Sequence, residues 1–405
     1  MSSPRRRHCR RSPAASPLED DDLLSEILLR LPPQPSALPR ASAVCKRWRG
    51  LVCDPRFRRR FRLRHRRFRL RHRRNPPLLG FFNRFDRLSF QPTLDAPDRL
   101  PLGPFPFQRD DGDYFVSLGC RHGLLLVFLP GILEVLVWDP VTGDRHRVAV
   151  PPVVAERAAK IGVGGAVYRP PGDVQHFQVV LAVTDDHGAQ PRRALACGYS
   201  SKTGVWGSLI STPLPYQGHG SQFSAIVCAE DAVLAGDSLY WPLAGKLNGI
   251  LEFDLEKQRL AVIRVPVDMW GKRERNGFKL VRAEGGVLGF LFISHSDCCA
   301  AQLWKRITGC DGVASWVLAR TIQLDKLLSL KPEEKGGIEM VGFAQDNYVL
   351  LLRTVIGLFM IHLESLKFKK LSNTTTVSRY FPFESVYTAV TGIGGRNDAS
   401  DVNAQ

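Results

Sequence analysis

The sequence lacks the cysteine pattern of a disulfide-stabilised or zinc-binding protein. Its nine cysteines are odd in number, and no two of them have the Cys-x-x-Cys spacing of a zinc finger or a redox motif. Disulfide frameworks belong to oxidising compartments. The cysteines therefore favour reduced thiols in the cytoplasm or the nucleus.

Long hydrophobic runs are also missing. The longest apolar stretch, residues 123–138, is interrupted by Pro130, Gly131 and Glu134, and it is shorter than the roughly 20 residues that cross a bilayer. The N-terminal segment MSSPRRRHCRRSP has the positive charge of a signal peptide but no apolar region after it. We therefore expect a soluble protein that is not secreted and has no membrane partner.

Catalytic and metal-binding motifs are absent as well. The chain contains no HExxH, no P-loop, no GxSxG and no strand-linked GxGxxG. Six histidines of the strand-rich region have no metal-ligand spacing among them: His122, His176, His187, His219, His295 and His362. We predict a non-catalytic protein and assign no catalytic, metal-binding or cofactor-binding residue, although an active site assembled from distant loops would leave no such signal.

Acidic residues are missing from the two segments that carry the net charge of +17. Residues 1–17 contain five arginines and residues 56–74 contain twelve, with no Asp or Glu in either segment, so the rest of the chain is close to neutral. The sequence FRLRHRR occurs twice in tandem, over 61–67 and 68–74. We predict a disordered basic N-terminus and, over 61–77, an Arg-rich linker or helix.

The arginine repeat has three interpretations. It could be a duplication in a solvated connector that is stabilised by nothing in particular, or a cluster that directs the protein to the nucleus or contacts an acidic partner. Specific recognition of nucleic acid is the third, but no aromatic platform on a sheet accompanies the arginines. We expect a location in the nucleus, the cytoplasm or both, and no nucleic-acid partner.

The segment before the repeat has the pattern of short amphipathic helices. An acidic run at 19–22 suits a helix N-terminus, and Pro32 ends the pattern. The apolar residues at helical spacing between them are Leu23, Leu24, Ile27, Leu28 and Leu31. One broad apolar face on a helix of roughly ten residues follows from this spacing.

Two further helices are predicted downstream. Val44, Trp48, Leu51 and Val52 recur at helical spacing, and Asp54-Pro55 has the form of an N-cap followed by proline at the first helical position. About forty residues cannot bury so many large apolar side chains among themselves. The module is therefore expected to cover a partner surface, or else to cap the rest of the chain.

The leucine-rich first helix, Leu31-Pro32 and Val44-Cys45-Lys46-Arg47-Trp48 resemble the F-box family. The resemblance covers residues 18–60 and implies binding to the Skp adaptor subunit of a cullin-based SCF ubiquitin ligase. The adaptor-binding residues that it implies are Leu18, Leu23, Leu24, Ile27, Leu28, Leu31, Pro32, Val44, Cys45, Trp48 and Leu51. The sequence departs from the family in two ways: Leu18-Glu19 replaces the opening Leu-Pro, and Pro39 lies in the second helix, which we expect it to shorten.

Beyond residue 77 the pattern changes to short apolar runs separated by Gly, Pro, Asp and Asn. They form loose repeats of about 40 to 50 residues, the length of a four-stranded propeller blade. We predict an α+β multidomain chain: the small helical F-box, then an all-β propeller-like domain of about six to eight blades over 78–391, and a disordered tail over 392–405. Residues 380–383 are expected to close the ring by pairing with an early strand such as 78–82.

Several strand segments resemble the propeller-like F-box-associated domains of plant F-box proteins, particularly the large grass group. Five segments carry this resemblance and follow the F-box in order: VWDP with TG at 137–143, YSS with G and W at 199–206, LYW at 239–241, FDL at 253–255, and GLF with LES at 357–365. Trp138-Asp139 occurs once and has no upstream Gly-His partner, so it does not indicate a WD repeat.

Together the two resemblances imply a substrate receptor. The F-box would bind the Skp adaptor and through it the cullin ligase, while the propeller would bind a target protein for ubiquitination whose identity and binding residues are unknown. The alternative is a basic nucleic-acid or chromatin-associated scaffold that uses the arginine repeat.

Overall fold

The computed structural model has four helices at the N-terminus, followed by a ring of strands. The residues that it describes are 20–72, 75–84, 88–101, 105, 114–171, 173, 175–185, 192–214, 226–227, 232–244, 249–265, 278–294, 299–373 and 379–388. The predictions for 1–17, Leu18 and 392–405 lie outside these residues.

The first and fourth helices begin where the sequence predicts caps. Asp20 accepts hydrogen bonds from the backbone N–H groups of Asp22 at 2.8 Å and Leu23 at 3.1 Å, and Asp54 accepts one from Arg56 at 2.8 Å. Both carboxylates satisfy N–H groups that have no partner in the first turn. The four helices are α1 (Asp21–Leu28), α2 (Ala37–Ser42), α3 (Lys46–Cys53) and α4 (Pro55–His72).

Pro39 lies inside α2 without breaking it. It is the third residue of this six-residue helix, a position whose N–H would have no partner in the helix. Its carbonyl accepts hydrogen bonds from Ser42 Oγ at 2.7 Å and from the Ala43 N–H at 3.1 Å. The second helix is short, as expected, but Pro39 does not end it, because the helix continues for three residues beyond it.

The strands form six antiparallel sheets, the blades of a propeller. Blade 1 consists of β3 (Val116–Arg121), β4 (Leu124–Leu129), β5 (Glu134–Trp138) and β6 (Arg145–Ala149). Blade 2 consists of β7 (Gly164–Tyr168), β8 (Gln178–Asp185), β9 (Arg193–Ser200), β10 (Val205–Trp206) and β11 (Ile210–Pro213). Blade 3 consists of β12 (Ile226–Val227), β13 (Val233–Ala235), β14 (Ser238–Ala244), β15 (Gly249–Asp254) and β16 (Arg259–Arg264).

The remaining blades complete the ring. Blade 4 consists of β17 (Phe278–Arg282), β18 (Leu288–Ser294), β19 (Ala300–Thr308) and β20 (Ala314–Gln323). Blade 5 consists of β21 (Glu339–Ala344), β22 (Val349–Thr354), β23 (Gly357–His362) and β24 (Phe368–Ser372). Blade 6 combines β25 (Arg379–Glu384) with β1 (Leu78–Arg84) and β2 (Leu88–Pro92).

Ring closure joins the two ends of the propeller segment, as the sequence predicted. Strand β25 pairs with β1 in a register that places Phe381 opposite Phe82. The rings of Phe82, Phe105 and Phe383 then lie within 5.2–5.9 Å of one another, edge-on or tilted. Closing the ring removes the exposed edges of the first and last strands, and six blades agree with the predicted six to eight.

Each blade buries both of its faces against its neighbours. All six residues of β4 are buried, which explains why its sequence, LLLVFL, is a continuous apolar run instead of an alternating pattern. Helix α5 (Pro152–Ile161), between blades 1 and 2, buries Val154, Ala155 and Ala158 in the same core. Neither this helix nor α6 (Leu324–Leu327) was predicted from the sequence.

Candidate adaptor-binding surface

The four N-terminal helices share one small hydrophobic core. Helix α4 provides Phe57 and Phe61 to this core, and one residue comes from the far end of the chain, Val386, just after β25. The other buried members are Leu24, Leu28, Leu29, Leu38, Ala41 and Val52. Because α4 and Val386 fill the core, the module does not depend on a partner to bury these residues.

Among the module's residues that the structure describes, three large apolar side chains stay exposed: Leu23 is 49% exposed, Ile27 41% and Val44 61%. We call Leu23, Ile27 and Val44 the outer apolar face. Leu23 and Ile27 are four residues apart on α1 and therefore lie on one side of it. A hydrogen-bonded ion pair of 2.7 Å between Arg47 of α3 and Asp21 of α1 holds the start of α3 against the same helix.

The structure divides the predicted adaptor-binding residues into groups. Leu23, Ile27, Pro32, Val44 and Cys45 are exposed. The side chains of Leu31, Trp48 and Leu51 are partly buried and pack against the helical core, while Leu24 and Leu28 are at most 1% exposed within it. The single apolar face that the sequence predicted for α1 is therefore divided in the fold. One side of the helix packs in the helical core, and the other side lies outside that core.

Helix α3 starts two residues later than the spacing of its apolar residues suggested. Val44 precedes the helix, and Cys45 is its N-cap, with the thiol accepting a hydrogen bond from the Trp48 N–H at 3.5 Å. Val44 was predicted as a residue of the helix, which is wrong. Its position outside the helical turn leaves the side chain exposed.

Helix α4 also carries charged residues onto the propeller. Arg66 contacts Asp139 at 3.3 Å, and Arg169, which follows β7, lies 4.0 Å from the same carboxylate oxygen. These side chains are 20%, 8% and 12% exposed. Arg62 of α4 donates a hydrogen bond of 3.4 Å to Thr388. We call Arg62, Arg66, Asp139, Arg169 and Thr388 the joint.

Asp139 also stabilises a turn within the propeller. Its other carboxylate oxygen accepts hydrogen bonds from the N–H groups of Val141 at 3.1 Å and Thr142 at 3.3 Å, which fixes the turn between β5 and β6. The same side chain thus holds a blade turn and an arginine of the helical module. Burial lowers the pKa of Arg169 to about 10 and Arg66 acts in the same direction, while Asp139 opposes the shift, so this arginine stays charged at neutral pH.

The joint corrects one interpretation of the arginine repeat. A connector stabilised by nothing in particular is wrong for the first copy of FRLRHRR, because Phe61 is buried in the helical core and Arg62 and Arg66 contact the propeller. The joint was not foreseen from the sequence. The sequence shows both partners, namely Asp139 in the VWDP segment and an excess of arginine in the repeat, but no local pattern pairs them. Only the fold brings Arg66 to Asp139.

His65 lies beside the joint in an apolar setting. Its ring is 4.3 Å from that of Phe61, and its Nε2 is buried with no hydrogen-bond partner among the described residues. Burial lowers the pKa of His65 to about 4 and the charge of Arg64 acts in the same direction, against a hydrogen bond with the backbone of Leu31. The imidazole is therefore neutral at physiological pH.

The centre of the ring is held by polar residues at the ends of inner strands. Gln345 donates a hydrogen bond to the Ala232 carbonyl at 3.0 Å, and Arg121 donates one to the same oxygen. Asn347 donates its backbone N–H to Glu384 at 2.9 Å. These groups satisfy one another, so their arrangement is that of a structural network.

Metal-ligand clusters and membrane-spanning helices are both absent from the part of the chain that the structure describes. Within the described residues, no group of three or more His, Cys, Asp or Glu could hold a metal ion. Over the same residues, no helix is both long enough and apolar enough to span a membrane.

Two family models match the chain. One, described as the F-box domain, matches residues 20–60. The other, described as an AT5G49610-like F-box protein beta-propeller, matches residues 117–388, more than half of the 405 residues. The chain belongs to this F-box propeller family. The resemblance to plant F-box proteins is thereby confirmed, whereas the narrower grass group stays a prediction.

Other comparisons add little. No curated protein matches the chain. Similar solved structures include a mitotic checkpoint complex (12% identity, covering 68% of this chain and 73% of that chain, TM-score 0.32), the extracellular domain of a one-component system from B. thetaiotaomicron (11%, 63% and 28%, 0.29) and a periplasmic gluconolactonase from Pseudomonas aeruginosa (12%, 60% and 66%, 0.35). At these low TM-scores they carry no argument. None of the comparisons supports a nucleic-acid or chromatin scaffold.

Proposed function

We propose that this F-box protein is the substrate-recognition subunit of an SCF ubiquitin ligase. In this function the F-box binds a Skp-type adaptor, and through it a cullin, while the propeller binds a target protein. The observation that carries the proposal is the outer apolar face. Leu23, Ile27 and Val44 are 41–61% exposed although the core of the module is already filled.

The free energy of association would come from burying this face. Covering apolar surface stabilises a complex by roughly 25 cal/mol per Å², and a few central anchors dominate most interfaces. Leu24 and Leu28 would act indirectly, because they hold α1 in place from inside the module. The predicted contacts of Leu31, Pro32, Cys45, Trp48 and Leu51 with the adaptor stay predictions.

The mechanism is proximity and needs no catalytic group in this chain. A target held by the propeller would have a raised effective concentration near the ubiquitin-loaded enzyme, of the order of mM for short links. The joint supports this function, because Arg62, Arg66 and Val386 connect the F-box directly to the propeller. We place this function in the nucleus, the cytoplasm or both, in keeping with the arginine cluster and the thiols.

The test measures binding of the full chain to a purified Skp-type adaptor by calorimetry. The double variant Leu23→Gln with Ile27→Gln keeps good helix-forming residues and removes two apolar side chains from the face. We expect affinity to fall about 30-fold or more, the equivalent of a 2 kcal/mol anchor, while the melting temperature stays within a few degrees. Val44→Gln should weaken binding in the same direction.

The matched control changes two equally exposed apolar residues on blade 5, Val355→Gln with Phe368→Gln, both 47% exposed. This variant should bind the adaptor like the unmodified chain. An affinity of the Leu23/Ile27 variant equal to that of the control would remove the adaptor-binding assignment.

A further inference from the structure

The four residues that follow the last strand of the ring lie between the two parts of the molecule. Residues 385–388 are only 2–9% exposed. Val386 packs in the core of the N-terminal helices, whereas Tyr387 packs in the aromatic core of blades 6 and 1. Thr388 accepts a hydrogen bond of 3.4 Å from Arg62 of α4. We call residues 385–388 the strap, because its side chains contact the helices and the ring in turn.

The strap is fixed on the ring at its first residue. It continues β25, which is paired with β1. The Ser385 N–H donates a hydrogen bond of 3.2 Å to the Pro77 carbonyl. In blade 1, the turn at Gly123 approaches so closely that a Cβ there would lie 2.6 Å from Ser385 Oγ. Once β25 has paired with β1, the ring therefore presents Val386 to the helices in one position.

A second segment of blade 6 contacts the helices at α2. Asp98 follows β2, and its Oδ1 accepts a hydrogen bond of 3.0 Å from the Ser36 N–H. Ser36 is the N-cap of α2, and its N–H belongs to the donors that have no partner within a helix. Helix α2 ends at Ser42, two residues before Val44 of the outer apolar face. Asp98 thus holds the helix that leads to this face.

The helices depend on such contacts because their own core is small. Among the described residues, eight of the nine buried members of this core lie within 24–61, and the ninth is Val386. A module of about forty residues is at best marginally stable by itself. The contact of Arg62 with Thr388 joins residues 326 positions apart. The N-terminal module is therefore completed by the last strand of the chain.

We propose that Val386 and Asp98 are positioning residues for the adaptor, which hold the outer apolar face in its binding geometry, so that the adaptor binds tightly only to a chain whose ring has closed. The proposal rests on the proposed function, since it concerns the same face. Val386 is 4% exposed and acts through the helices, without touching the adaptor. Because coupling between two sites is reciprocal, the adaptor stabilises the strap in return.

The test combines hydrogen exchange of the full chain with calorimetric binding of a purified Skp-type adaptor. Val386→Asn places an amide in the apolar helical core. We expect the amides of α1 to α3 to exchange at least about tenfold faster, and those of blades 2 to 5 to be unchanged. The Kd for the adaptor should rise about tenfold, because less of the chain is competent to bind. Val386→Ala, which adds no polar group, should change both quantities less.

The matched control is Val265→Asn. Val265 follows β16, is 3% exposed and packs between blades 3 and 4, so the same substitution at similar burial acts on the ring alone. It should leave exchange in α1 to α3 and adaptor affinity unchanged, even where the ring melts at a lower temperature. Asp98→Ala tests the other contact and should weaken adaptor binding about fivefold, with faster exchange in α2.

A reciprocal measurement separates positioning from a contribution to stability alone. In the unmodified chain, saturating adaptor should slow exchange in the strap and β25, which a helical module independent of the ring would not do. The proposal would be overturned by equal effects of Val386→Asn and Val265→Asn on α1 to α3, by an unchanged Kd of Val386→Asn, or by a strap that does not respond to the adaptor. Failure of the unmodified chain to bind the adaptor would instead remove the receptor function itself.

Discussion

Trp138, Trp241, Phe253 and Phe290 of the propeller are at most 2% exposed, whereas Leu23, Ile27 and Val44 of the helical module are 41–61% exposed. The propeller covers both faces of every blade with a neighbouring blade and closes on itself through β25 and β1. The module is too small for that, and it takes Val386 from the propeller into its core. A closed ring suits a scaffold, and a small helical module with a free apolar face suits docking.

The largest effect should come from breaking the closure of the ring. Phe383 is fully buried among Phe82 and Phe105, so Phe383→Ala should cost about 3–5 kcal/mol of unfolding free energy. Urea denaturation followed by tryptophan fluorescence reports it, because six of the seven tryptophans follow residue 77. Phe368→Ala, at a 47% exposed site, should change the midpoint little; equal effects of the two variants would contradict the closure argument.

The second effect tests whether the two regions form one unit. Asp139→Asn removes the negative charge that faces Arg66 and Arg169 but keeps an oxygen for the turn N–H groups. Removing the carboxylate charge that both of these largely buried arginines face should cost about 2 kcal/mol or more. We expect faster hydrogen exchange in α4 with blades 2 to 5 unchanged. Unaltered exchange in α4 would mean that the joint does not hold the helix.

Acid should loosen the helical module before the ring. The pKa of His65 is about 4 in the folded chain and about 6.5 when unfolded, so the unfolded state takes up this proton first. The stability of the module should therefore fall as pH drops from about 6.5 to about 4. Above pH 6.5, His65 should make no contribution to the pH dependence of stability. His65→Phe should remove this part of the pH dependence in melting curves; the same slope in both proteins would assign it elsewhere.

The smallest effect should come from an exposed ion pair of α4, which can be compared with the buried pair of the same helix. Arg60 pairs with Glu26 at 2.6 Å, but these side chains are 55% and 46% exposed, so Glu26→Gln should change the free energy of unfolding by less than about 0.5 kcal/mol. Hydrogen exchange of Glu26→Gln, measured beside that of Asp139→Asn, compares the contribution of an exposed ion pair with that of a largely buried one. A cost as large as that of Asp139→Asn would show that burial is not what distinguishes the two.

The order of elements could be predicted from the sequence because it depends on local patterns. Asp54-Pro55 starts α4, apolar runs at blade spacing became strands, and 380–383 pair with β1. Helix α5 was missed, since its PVVAERAAKI segment lies between strands of similar composition. The start of α3 was placed two residues early because periodicity does not mark a cap such as Cys45.

By itself, the sequence determined the F-box, the propeller and the place where the ring closes, because helical spacing, turn residues and repeat length are properties of neighbouring residues. Only the tertiary structure decided which leucines of α1 are core and which are surface, since Leu23 and Leu24 are adjacent yet 49% and 0% exposed. It also decided that Arg66 contacts Asp139 and that Val386 packs in the helical core. Those contacts join residues far apart in the chain, and no local pattern specifies them.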